Sequence, residues 1–374
     1  MDLIALRHEL HKNPELSGRE SGTAGRIISA LGNFHPDNLL TDVGGTGIIA
    51  TWDSGKEGPH VLFRAELDAL PIQDTGTSEY RSSKEGVGHL CGHDGHMSIL
   101  IGLAERIAAK PPASGKVSLL FQPAEETGAG AAMVIQDPKF KQVKPDYVYA
   151  LHNLPGFWRG NIVLRVGPFA CASRGLIIRL HGKTAHAAHP EEAVSPALAI
   201  SSLIRTMIDL PVRTEGLRDF VLATVIHARL GEVAFGTTPG EGVVMVTLRS
   251  ALDGDMEILS ENALEQVDRI AAKYSLRHET EWVEEFPATV NHPDAASALR
   301  ASLNAAGLEI EAIDKPFRWS EDVGHFSKVA RLTLFGLGSG LDHSPLHAPD
   351  YDFPDELLPV GVKAFEAVLR SHLG

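Results

Sequence analysis

Cys91 and His93 stand two residues apart, Glu125 and Glu126 are adjacent, His152 closes an apolar run, and His347 lies near the carboxyl end. Thiolate, imidazole and carboxylate are ligands that Zn²⁺, Mn²⁺, Co²⁺ and Ni²⁺ accept, whereas Mg²⁺ and Ca²⁺ favour oxygen alone. One zinc ion uses about four protein ligands in a structural site and about three in a catalytic one. Cys91, His93, Glu126, His152 and His347 exceed both numbers and leave Glu125 over. That surplus suits two ions roughly 3.5–4 Å apart around a bridging hydroxide. A competing chemistry makes Cys91 a nucleophile activated by His93, but it leaves the other ligand-type residues without a task. His8-Glu9-Leu10-His11 is not the H-E-x-x-H zinc helix, because its histidines are three apart rather than four.

These residues must be carried to one place, and the order of elements suggests how. Leu3–Lys12 reads as a helix stopped by Asn13-Pro14, and Ser21–Leu31 as a second. Strands are expected at Gly47–Trp52 and His60–Ala65. A loop ending in Cys91-Gly92-His93-Asp94-Gly95-His96 then leads into a helix at Met97–Ala109, whose Ile99, Leu100, Leu103 and Ile107 form one stripe. Strand Lys116–Gln122 runs out at Glu125-Glu126, and strand Tyr147–Leu151 at His152-Asn153. In an open α/β sheet the groups beyond the carboxyl ends of the strands converge.

The middle of the chain changes rhythm. Strands at Leu176–His181, Ala223–Arg229, Val243–Arg249 and His278–Val283, with helices at Ser195–Leu210 and Met256–Ala272, read β-α-β-β-α-β, the ferredoxin-like order. Residues 171–286 are therefore expected to form a domain inserted into a discontinuous one of 1–170 and 287–374. A buried strand at Leu332–Leu337 precedes His343 and His347, and a helix from Pro354 to Leu373 ends the sequence.

Composition bounds the partners. The 374 residues carry 34 Lys+Arg against 48 Asp+Glu, a net charge of −14, which offers no attraction to nucleic acid or an anionic membrane. Cys91 and Cys171 are the only cysteines, too few for a disulfide scaffold, and Cys171 reads as a buried thiol. With no secretion signal and no membrane-length apolar run, a cytoplasmic protein is expected.

Several longer runs carry a resemblance. Arg64-Ala65-Glu66-Leu67-Asp68-Ala69-Leu70-Pro71-Ile72, Gly88 through His96, and Phe121-Gln122-Pro123-Ala124-Glu125-Glu126 resemble the di-metal amidohydrolase family. That family includes hippurate hydrolases, N-acyl-amino-acid deacylases, auxin-conjugate hydrolases and, more distantly, aminoacylases and metallocarboxypeptidases. Matches continue through His11…Pro14-Glu15, Leu151-His152-Asn153, Gly182 through Ala188, Ser320-Glu321-Asp322 and Leu346-His347-Ala348-Pro349. The resemblance implies a zinc-peptidase-like α/β domain with a central mixed sheet, plus an inserted ferredoxin-like dimerisation or lid domain. It implies two divalent ions on Cys91, His93, Glu126, His152 and His347, with Glu125 as general base and acid and Asp68 orienting a ligand imidazole. It further implies a homodimer or higher homo-oligomer, in which His186 of one subunit stabilises the oxyanion in the site of the other. Arg249 would anchor a substrate carboxylate.

The activity so implied is hydrolysis of the amide bond of small N-acyl amino acids. A carboxypeptidase or dipeptidase is the alternative enzyme, and a metal-stabilised dimer that only binds a small molecule is the non-enzyme alternative. Retention of Glu125 speaks against the last. The chain also departs from the family: Gly236-Thr237-Thr238-Pro239 replaces an Asn-Val-Ile-Pro turn, and Arg174 and Ser195 stand where aspartates are common. All three departures lie in the inserted segment, so substrate preference rather than chemistry is expected to differ.

Overall fold

The computed structural model describes all 374 residues, in two compact units. The first comprises Met1–Phe169, Thr289–Pro316 and Asp322–Gly374; the second comprises Ala170–Ala288 and Phe317–Glu321.

An eight-stranded mixed sheet organises the first unit, in the order Asn38–Val43, Gly47–Asp53, Lys116–Gln122, His60–Glu66, Tyr147–Pro155, Arg331–Gly340, Ile162–Leu164, Ile310–Ala312. Lys116–Gln122, His60–Glu66, Tyr147–Pro155 and Arg331–Gly340 run parallel to one another, so their carboxyl ends share one edge. These four central strands are buried nearly throughout, as parallel strands covered on both faces must be. Helix His93–Ala109 lies against the sheet and beneath Leu3–Lys12 and Leu357–Leu373. It is apolar on almost every side because neighbours surround it. Asp2 caps the first helix by accepting from the Ala5 N–H at 3.0 Å.

Several elements differ from the sequence reading. The helix expected from Met97 starts at His93, because Gly92 takes a left-handed conformation (φ 93°) that turns the chain directly into it. His93 is therefore the first helical residue rather than part of a loop. The strand expected to end at Leu151 continues to Pro155, held on one side by the Arg331–Gly340 strand, so His152 and Asn153 are strand residues. Strand Asn38–Val43 carries no clear alternation and escaped the reading; it is an outer strand with mostly part-exposed residues.

The second unit has four antiparallel strands in the order Val221–Leu230, Glu241–Ser250, Ala172–His181, Arg277–Phe286. Helices Ala197–Arg213 and Asp253–Lys273 pack on this sheet. Alternate residues of Glu241–Ser250 are buried, the period of a sheet with one covered face. A two-stranded ribbon pairs Ala185–His186 with Thr237–Thr238. No helix of either unit is long and apolar enough to cross a membrane.

Candidate metal and hydrolytic site

The shared strand edge of the first unit gathers the residues singled out above. Asp68 follows strand His60–Glu66, Glu125 and Glu126 follow Lys116–Gln122, and His152 lies in the strand between this group and the His347 loop. Cys91 and His93 arrive at the amino end of helix His93–Ala109. Ligand atoms of Cys91, His93 and His152 lie within 4.8 Å of one another, and so do those of Cys91, Glu126 and His347. The two groups share Cys91. His93, Glu125 and Glu126 form a third such group.

Hydrogen bonds fix which ring atoms face inward. His93 Nδ1 donates to the Asp68 carbonyl oxygen at 2.8 Å, which points Nε2 at Glu126 Oε1 (3.8 Å) and Glu125 Oε2 (4.0 Å). It is the Asp68 backbone carbonyl that makes this bond; the carboxylate Oδ1 is 3.6 Å from Nδ1, too far for a hydrogen bond. The carboxylate is engaged elsewhere: Oδ2 accepts from Ser17 Oγ at 2.7 Å and from the Glu126 N–H at 3.0 Å. His152 Nδ1 donates to the Asn153 carbonyl oxygen, leaving Nε2 3.5 Å from Cys91 Sγ. His347, in a left-handed backbone conformation (φ 66°), is pinned by its N–H to the Leu90 carbonyl and sets Nε2 3.8 Å from Glu126 Oε2.

Charge is crowded here. Burial raises Glu126 to about 7, and the negative charges of Asp68 and Glu66 add to the push against the attraction of His93. Burial opposes a charged His93, yet Asp68, Glu66 and Glu126 together lift it to about 10. His152 is pushed down to about 3 by burial and by its histidine neighbours, and burial also lowers His347. His93 Nε2 and Glu126 Oε1 are buried and have no hydrogen-bond partner. Buried polar atoms are normally satisfied, so this donor set, with lone pairs converging in a cluster rich in carboxylates, fits divalent cations.

Behind these residues lies a buried network that sequence reasoning did not resolve. Arg64 donates to Glu66, to Gln122 Oε1 (3.0 Å) and to Asp322 Oδ1 (2.7 Å). Glu66 Oε2 accepts from His96 Nδ1 at 2.7 Å, His96 Nε2 lies 2.6 Å from Asn153 Oδ1, and Asn153 Nδ2 donates to the Tyr351 hydroxyl. Glu66, His93 and His96 also bring ligand atoms within 4.8 Å, but both ring nitrogens of His96 are occupied, which makes it a support and not a ligand. The period of two on strand His60–Glu66, which puts Arg64 and Glu66 on one face at the strand end, was the available signal.

His186 and Arg249 belong to the second unit. His186 is exposed, and its Nδ1 accepts from the Ala188 N–H at 3.1 Å, which keeps the proton of the neutral ring on the outward Nε2. The Gly236 carbonyl accepts from the Ala187 N–H at 3.0 Å, and Thr237 pairs with His186, so the departing Gly236–Pro239 turn flanks this histidine. Arg249 Nη1 donates to the Arg318 carbonyl (2.8 Å) and Ser320 Oγ (3.0 Å), without a carboxylate partner. Arg174 pairs with Glu257 and Glu285 instead of facing solvent alone, and Ser195 Oγ accepts weakly from the Ala197 N–H at 3.4 Å.

The chain matches the family described as Peptidase family M20/M25/M40 over residues 62–371, and it belongs to that family, whose chemistry is amide-bond hydrolysis. It is 30% identical to the hippurate hydrolase of Campylobacter jejuni, an alignment covering 98% of this chain and 96% of the relative. It is 28% identical to thermostable carboxypeptidase 2 of Saccharolobus solfataricus, over 97% and 93% of the two chains. Its fold is that of a dinuclear metal-binding M20 peptidase from Bacillus subtilis, with a TM-score of 0.83 at 23% identity over 99% and 97% of the chains.

Proposed function

We propose that the protein hydrolyses the amide bond of small N-acyl amino acids with two divalent cations held by Cys91, His93, Glu126, His152 and His347. The observation that carries this reading is the convergence of those ligand atoms in two groups joined at Cys91, buried around His93 and His152 and opening to solvent at His347, with an additional carboxylate, Glu125, beside them. When bound, the cations would polarise the amide carbonyl and acidify water. Glu125 handles the proton. Its Oε1 accepts from the Asp322 N–H at 3.4 Å, and Oε2 faces the site, 4.0 Å from His93 Nε2. Oε2 takes a proton from the attacking water and returns it to the departing amine nitrogen. Asp68 serves by holding the Glu126 backbone and, through its carbonyl, the His93 ring.

In the same reading, residues 171–286 form a dimerising lid. Its edge strand Val221–Leu230 exposes Ile226 and Leu230, and helix Ala197–Arg213 exposes Leu198, Ile208 and Val212. Unpaired edges and apolar residues of this kind are commonly covered by a partner. His186 of one subunit would donate from Nε2 to the carbonyl oxygen in the other's site, and Arg249 would receive the substrate carboxylate. The scarcity of cysteine supports a reducing, cytoplasmic setting.

The test pairs N-acetyl and N-benzoyl amino acids with dipeptides as substrates, after loading Zn²⁺, Mn²⁺, Co²⁺ or Ni²⁺, with metal analysis alongside. Faster cleavage of acyl amino acids at two ions per chain is expected; preference for dipeptides would favour the peptidase alternative. Mixing H186A and E125Q chains tests the lid. One intact site per mixed dimer should restore about a quarter of wild-type activity on random mixing. Verified mixed dimers without recovery would show that His186 does not act across subunits.

A further inference from the structure

Glu20 is fully buried, yet no cation pairs with it. Its carboxylate is satisfied by three donors. Oε1 accepts from the Gly18 N–H at 2.8 Å and from the Ala124 N–H at 2.9 Å, and Oε2 accepts from Thr46 Oγ1 at 2.8 Å. Removing a carboxylate from water costs several kcal/mol even after relaxation, so a buried one is retained where its hydrogen bonds matter. It opens helix Ser21–Leu31 without capping it; Glu15 instead accepts from the Thr23 N–H and hydroxyl in the first turn.

The unusual partner is Ala124. It has φ 52°, a left-handed conformation disfavoured for any residue with a side chain. That kink lies between Pro123 and Glu125-Glu126, and it is what turns the two adjacent carboxylates out of the strand end. Glu126 is held on its far side by Asp68 through its own N–H. The turn is closed from within by the Gly128 N–H to Glu125 carbonyl and Gly130 N–H to Ala124 carbonyl bonds. The Ala124 N–H has its hydrogen bond to Glu20 alone, so Glu20 supplies the second tether of a turn whose strained centre would otherwise relax.

We propose that Glu20 is a positioning residue for hydrolysis: its buried carboxylate locks the Pro123–Glu126 turn, so that Glu125 faces the water while Glu126 faces the metal ions. The inference rests on the roles given above to Glu125 and Glu126. Gln at position 20 keeps an oxygen for both N–H groups and offers Thr46 an N–H to accept, so it preserves the tether. Met fills the space and loses every bond. Asp keeps the charge but is one methylene too short to reach both Gly18 and Ala124.

E20M, E20D and E20Q are compared in the metal-loaded enzyme for kcat and KM, and in the metal-free chain by hydrogen–deuterium exchange. A misplacement of about 1 Å costs ~100-fold in rate. E20M and E20D should therefore lower kcat by ~10–100-fold with KM little changed, and E20Q should recover most of the loss. Exchange should speed up in the segment 121–128 of E20M and E20D and remain slow in E20Q. E20D decides the matter if E20M does not fold. Folded E20M or E20D with wild-type kcat, or acceleration spread evenly over the chain, would overturn the proposal. A wild-type enzyme that cleaved no amide would remove the assigned reaction, while unchanged exchange at 121–128 would overturn the tether by itself.

Discussion

Gly92 separates Cys91 from His93, and replacing it with alanine should damage the site from within. An ideal Cβ at this position falls 2.3 Å from Asn153 Oδ1, 2.8 Å from its Cγ and 2.9 Å from its Nδ2, so the amide must move. The backbone at φ 93° adds roughly 1–2 kcal/mol for a residue with a Cβ. Displacing Asn153 strips partners from His96 Nε2 and the Tyr351 hydroxyl, at roughly 1–3 kcal/mol for each buried group left unsatisfied. The floor of these contributions is ~3 kcal/mol, a large part of the ~5–15 kcal/mol by which domains are stable. Urea denaturation of the metal-free chain reads the stability, and metal analysis of the loaded chain reads the ligands on either side. A double-mutant cycle locates the cause: in an N153A background the clash is gone, and G92A should cost only its backbone share. If G92A were within ~1 kcal/mol of wild type, or if its cost were unchanged by N153A, the packing argument would be refuted.

E125Q should retain fold and metal while kcat falls ~10²–10⁴-fold, whereas E126Q should lose metal occupancy; identical metal content in both would contradict the division of labour. His11 is buried between Asp94 (2.9 Å) and Asp74 (3.4 Å); burial opposes its charge, but the two carboxylates raise it to about 10. A raised histidine stabilises fully below its unfolded value of ~6.5, and the contribution fades as pH climbs through the folded value. Thermal melts should therefore decline between neutral pH and about 10, and H11Q should flatten that decline; equal pH slopes would tell against the pair.

A candidate ligand set could be drawn from the sequence because metal chemistry restricts residue type. Cys, His and Glu clustered in this way have few other common uses together, and local spacing betrayed many of the strands and helices that carry them. The β-α-β-β-α-β order of the middle segment was likewise visible, since each element has its own period and turn. What spacing cannot show is which atom of a residue faces which neighbour. Cys91 is common to two ligand groups, the Asp68 carbonyl rather than its carboxylate holds His93, and Arg64, Glu66, His96 and Asn153 form one buried chain. Those relations join residues scores of positions apart through backbone carbonyls and side-chain rotamers, and none leaves a local period. The same holds for Glu20 and Ala124: a carboxylate early in the chain reads as surface until the fold buries it against a turn 104 residues away. Sequence determined the chemistry available because ligand types are local facts. Tertiary structure decided its orientation because hydrogen-bond direction and desolvation exist only once distant segments are packed together.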